Sequence, residues 1–150
     1  SFGKDMQILR LDILCIRDIL LCVEEHTDYR CAAKFIDLED AKKIWSSIGG
    51  TAKVPEYNHA LYNKYGMDKV LYHINYCIDA GLVLAAETER SSYIFTIVDL
   101  TPSGHDMVND MRDSAIAERI SSLKSASLPV LLHVAKELSR SAVKSFLGLP

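Results

Sequence analysis

Apolar residues in DMQILRLDILCIRDILLCVEE, residues 5–25, recur at helical spacing. Wound at 100° per residue, Ile8, Leu9, Leu11, Ile13, Cys15, Ile16, Ile19, Leu20, Cys22 and Val23 share one arc about 200° wide, against the roughly 100° of an ordinary surface helix. Only Asp12 interrupts the arc. A face this broad needs neighbours on two sides. The pattern therefore predicts a helix that is central to the domain or that also meets a second subunit, with Arg10, Arg17, Asp18 and Glu24 on its wet side.

Further along, residues 27–36 read as a connector ending in a short strand, and Asp37 as the N-cap of DLEDAKKIWSSIG, closed by Gly49-Gly50 and anchored in the core by Ile44 and Trp45. After a loop holding Pro55, YNHALYNKY is a short helix stopped by Gly66. Asp68 then caps MDKVLYHINYCIDAG, in which Val70, Leu71, Ile74, Cys77 and Ile78 fall at core spacing and Gly81 is the stop. The runs LVLAAE (82–87) and YIFTIVDLT (93–101) are β-prone and joined by a polar tip, which predicts a hairpin. Helix, short turn, helix and hairpin is the order of a winged helix-turn-helix, with the second helix for recognition and the hairpin as wing. Thr101 and Pro102 open another helix, residues 114–124 continue helically, and LPVLLHVAKELSRSAVKSFLGLP is a last amphipathic helix with Leu131, Val134, Ala135, Leu138, Ala142 and Phe146 on one stripe. The two long terminal helices are expected to bury each other, within one chain or across a homodimer. The predicted fold is mostly α with a small β-hairpin: a single winged helix-turn-helix domain, core about 5–112, with a helical extension at about 113–150.

The segments DMQILRLDILCIRDILLCVEE, VLYHINYCIDAGLV, LTPSGHDMVNDMRD and VAKELSRSAVKSFLGL, in that order over most of the chain, resemble a family of short uncharacterised bacterial proteins, often found in prophage regions. The resemblance implies a winged-helix core and a bacterial or phage setting, and brings no established activity. The first helix of the motif is either DLEDAKKIWSSI or YNHALYNKY, since residues 36–57 are longer than the corresponding linker of the family.

At 150 residues the chain makes one domain, long enough to bury about two-thirds of its unfolded surface. Cys15, Cys22, Cys31 and Cys77 form no C-x-x-C pair, so a disulfide framework is not indicated and a reducing cytoplasm is expected. The charges within residues 6–23 rule out a membrane span and a signal peptide there.

DNA is the partner that the leading reading implies: a non-enzymatic regulator of double-stranded DNA, with Lys69, Tyr72, His73, Asn75 and Tyr76 outward on the recognition helix and Arg90 at the wing tip. Charge opposes it. Residues 56–92 hold three basic residues against five acidic, a net of −2 within a chain of −3, whereas affinity for DNA comes largely from neutralised phosphates. The alternative is a winged-helix module that binds protein. The tail, residues 112–147, is basic, with six cations against three carboxylates, and reads as a solvated helix surface. Cys22 with His26, and His73 with Cys77, stand four apart as two ligands on one helix face do, although both cysteines fall at core positions; no metal or other cofactor is expected. Ser103, His105 and Asp106 are adjacent on one helix and point apart, so they make no catalytic constellation.

Overall fold

The computed structural model describes residues 11–50, 53–86, 93–123 and 126–150. Among them lie seven helices and three strands. Helix α1, Ile13–His26, begins later than the apolar periodicity predicts. Asp12 is its N-cap, its Oδ1 accepting the Leu14 and Cys15 N–H groups at 3.0 and 3.2 Å. The residue that interrupted the apolar arc is thus the one that starts the helix, and residues 5–10 lie outside the described residues.

Strand β1, Ala33–Ile36, leads into Asp37, which caps α2, Leu38–Ile48, through the Glu39 and Asp40 N–H groups. Ala41 is the buried residue of α2; Ile44 and Trp45, the predicted core anchors, are only half-buried. Trp45 instead meets the Tyr93 ring edge-on, with centroids 6.0 Å apart. Helices α3, Glu56–Tyr65, and α4, Met67–Asp79, are joined by Gly66 alone. Its φ of 87° suits glycine, and it closes both ends, donating its N–H to Tyr62 O and accepting that of Val70. Asp68 is therefore not the cap predicted for it; it stands in the first turn, where its charge faces the positive end of the helix dipole. Gly81, at φ 70°, ends α4 as predicted, with the Leu82 N–H folding back to Cys77 O.

Strands β2, Val83–Ala85, and β3, Ile94–Leu100, form the predicted antiparallel hairpin, and β1 adds to it to give a three-stranded sheet in the order β1-β3-β2. Ala33 pairs with Ile97 and Ile36 with Ile94 on one side, Val83 with Leu100 on the other. Helix α5, Pro102–Met111, is capped by Thr101, and α6, Ser114–Ser121, by Asp113. A Cβ at Gly104 would collide with the Leu82 carbonyl oxygen, so only glycine lets α5 approach that turn.

Helix α1 touches α3, α4, α5, α6, β1 and β3. Among the described residues, its broad apolar face is filled within one chain. Even Arg17 and Asp18, expected on its wet side, are covered: Arg17 donates to the Met111 and Arg112 carbonyls at the end of α5, and Asp18 accepts from Tyr65 Oη and Lys64 Nζ. The last helix, α7, Leu128–Leu147, packs on α5 and α6. Within one chain, the predicted mutual burial of the two terminal helices is thus replaced by packing on the helices that follow the sheet. Leu128, Leu131 and Ala135 are buried there, whereas Ala142 and Phe146 of the predicted stripe are exposed.

Candidate recognition face

Two features of the sequence set the orientation of α4. The first is its apolar face, Val70, Leu71, Ile74 and Cys77, all buried. The second is His73, which is 0% exposed. The Asp12 N–H, at the start of α1, donates to His73 Nε2 at 2.9 Å, and His73 Nδ1 lies 2.8 Å from the Lys69 carbonyl. These roles require the Nδ1–H tautomer. His73 was predicted to point outward; it is instead a polar pin between the first turns of α1 and α4, because a buried imidazole must have both nitrogens partnered.

The same corner takes the only lysine of α4. Lys69 Nζ lies 2.6 Å from Asp12 Oδ2. Burial pushes the Asp12 carboxyl up, but the Lys69 hydrogen bond, the Cys15 and Leu14 N–H groups and the Lys69 charge together hold it below its ordinary value of 3.8. Lys64, in the preceding helix, is tied to Asp18 at 2.7 Å. Asp18 also accepts a hydrogen bond from Tyr65, whose hydroxyl burial and that carboxylate push up.

What remains on the outer side of α4 is Asp68, Tyr72, Asn75 and Asp79, all exposed and spaced along one face. Asp68 and Asp79 have no ion pair among the described residues. Of the predicted contacts, Tyr72 and Asn75 are thus presented to solvent, Lys69 is held by Asp12, Tyr76 packs against the core, and His73 is interior. Arg90 lies outside the described residues.

The potential metal pairs do not converge. His26 Nδ1 turns to the Cys22 carbonyl at 2.9 Å and both nitrogens of His73 are engaged; no metal-holding group of three or more His, Cys, Asp or Glu side chains forms among the described residues. Burial pushes the thiols of Cys15, Cys22 and Cys77 up to about 12, which makes them core groups and not nucleophiles. His105 Nε2 stands 3.9 Å from Asp99 Oδ1, both exposed. No helix among the described residues is long and apolar enough to cross a membrane.

Sequence reasoning missed Asn58, which is 0% exposed. Its Oδ1 accepts the Ile36 N–H and its Nδ2 donates to the Lys34 carbonyl, both at 2.8 Å. Tyr57 Oη accepts the Lys34 N–H and Tyr62 Oη donates to the Ile36 carbonyl. The side chains of α3 so occupy the outer edge of β1 as a fourth strand would. The only signal was the spacing Tyr57, Asn58, Tyr62, one polar-tipped face on a short helix.

No curated protein and no solved structure matches the chain. Kinship rests on the sequence itself: the family model described as a hypothetical protein, DUF2513, matches residues 10–127, and the chain belongs to that family.

Proposed function

We propose that the chain is a non-enzymatic winged-helix module that binds a protein partner through the outer face of α4. The element order, the sheet order β1-β3-β2 and the single-residue joint at Gly66 support the winged-helix assignment, with α3, the second of the two candidate segments, as the helix before the turn. The observation that carries the interaction reading is electrostatic. Both lysines of α3 and α4 are taken by carboxylates of α1, and the face left over holds Asp68 and Asp79 around Tyr72 and Asn75. Such a surface repels a phosphate backbone, since affinity for DNA comes largely from cations that neutralise phosphates. It suits a basic segment that offers lysine or arginine to the carboxylates and an apolar or cationic group to the Tyr72 ring.

The second reading is a DNA-binding regulator of bacterial or prophage origin, favoured by the same element order and by the presentation of Asn75, a residue type that pairs with adenine. Titration with mixed duplex DNA at low and moderate salt separates the two. The interaction module is expected to show no binding even at low salt, and Asp68→Lys with Asp79→Lys to create a salt-sensitive affinity. Binding by the unaltered chain that weakens steeply with salt would overturn the proposal. Buried thiols without disulfides fit a cytoplasmic setting.

A further inference from the structure

The second half of α7 is a helix without support. From Arg140 onward every residue is exposed, yet the helix runs on to Leu147, where Gly148 at φ 70° and the Leu149 N–H, donated to Lys144 O, close it. A few isolated helical turns are marginal in water, so this stretch calls for a partner surface. Its exposed side chains are apolar at helical spacing: Val143, Phe146 and Leu147, with Phe146 89% exposed. They border a groove of about 260 Å³ whose far wall is Asp110, Asp113 and Ile116. That volume falls short of the roughly 300–1,000 Å³ of a small-molecule site and leaves room for side chains of a partner.

The patch holds every part that its own complement needs. It has a protruding ring and a groove. It has carboxylates, Asp110 and Asp113, on one wall, and on the helix a cation, Lys144, without an ion pair among the described residues. A two-fold contact uses all of them at once and closes on itself, because there each feature meets its opposite twice. We propose that this face joins two copies of the chain, the Phe146 ring of each seated in the groove of the other and Lys144 of each set against the carboxylate wall opposite. Burial, with the Asp106 charge, raises the Asp110 carboxyl above its ordinary value even with Lys136 and Arg140 nearby, so a cation from a second copy arrives at a partly desolvated carboxylate. None of these residues belongs to the α4 face, and the inference stands apart from the function proposed above.

Sedimentation equilibrium of the full chain tests it. The expected mass is twice 16.8 kDa. Phe146→Glu is expected to give a monomer with unchanged helical circular dichroism, since one copy leaves that ring 89% exposed, and Phe146→Ala gives the same answer should the charged variant aggregate. Lys144→Glu should weaken association about tenfold, equivalent to ~1.4 kcal/mol, and Tyr29→Ser, a change at an exposed residue far along the chain, should leave it intact. A chain still monomeric at about 100 μM, an affinity too weak for a specific dimer, would leave the groove to some other helix and overturn the proposal. A dimer indifferent to both Phe146 substitutions would overturn it equally.

Discussion

Asp12 joins three structures at one residue: it caps α1 with its carboxylate, holds Lys69 with the same group, and gives its N–H to the buried His73. Its carboxyl lies below the ordinary 3.8 in the folded chain. A group depressed on folding contributes stability that is complete above its unfolded value and drains away as pH falls through the lower folded one. Glu24 acts in the same sense, held down first by the hydrogen bond from Arg112. Urea denaturation as a function of pH is expected to show stability falling below about pH 4, with a shallower acid limb in Asp12→Asn, which keeps a good capping residue and loses the charge. An acid limb as steep as that of the unaltered chain would show that Asp12 does not carry the effect. Gly104 is the other single residue on which packing turns. Alanine inside a helix ordinarily gains about 0.5–1 kcal/mol over glycine, but at Gly104 it meets the Leu82 carbonyl, and overpacking costs about 1–3 kcal/mol. The collision outweighs the propensity. Gly104→Ala is expected to lower the urea midpoint, where Gly50→Ala, in open space, should not.

At the scale of elements, the parts that follow from short-range rules were legible. Asp37, Thr101, Gly66 and Gly81 acted as the caps and stops that their chemistry dictates, and the hairpin followed from two β-prone runs. What was not legible depends on distant partners. Trp45 read as a core anchor because it is large, yet α2 lies at the rim of the molecule and its ring finds Tyr93 instead. The third strand was only a short apolar run, and its place in the sheet is fixed by α3. That dependence can be measured. Asn58→Ala leaves the Ile36 N–H, in a buried bond, and the Lys34 carbonyl, in a part-buried one, without their partner, at about 1–3 kcal/mol for a fully buried group. A loss of roughly 2–4 kcal/mol is expected by equilibrium unfolding, and Asn58→Asp, which retains the acceptor but not the donor, should fall between. A loss below about 0.5 kcal/mol, ordinary for a surface change, would mean that water serves β1 as well as Asn58 does.

For the molecule as a whole, the sequence supported a mostly helical chain built around a long first helix, and the family match over residues 10–127 agrees with the expected kinship to uncharacterised proteins. The candidate face was legible only in part. Helical spacing put Tyr72 and Asn75 on the outside, but the same spacing offered no warning that His73 would be drawn inward by an N–H 61 residues away, or that Lys69 would be spent on a carboxylate of α1. Helix α7 begins at Leu128, just past the matched residues, so the groove joins a wall inside the matched part, Asp110, Asp113 and Ile116, to a helix beyond it. The side chains of α3 along β1 bear on the assembled protein as well. An edge already saturated by amide and phenol groups has no hydrogen-bonding capacity to offer a foreign strand. Among the described residues the sheet's other edge is the three-residue β2, and fibril growth or strand exchange from the β1 flank would first have to peel an entire helix away.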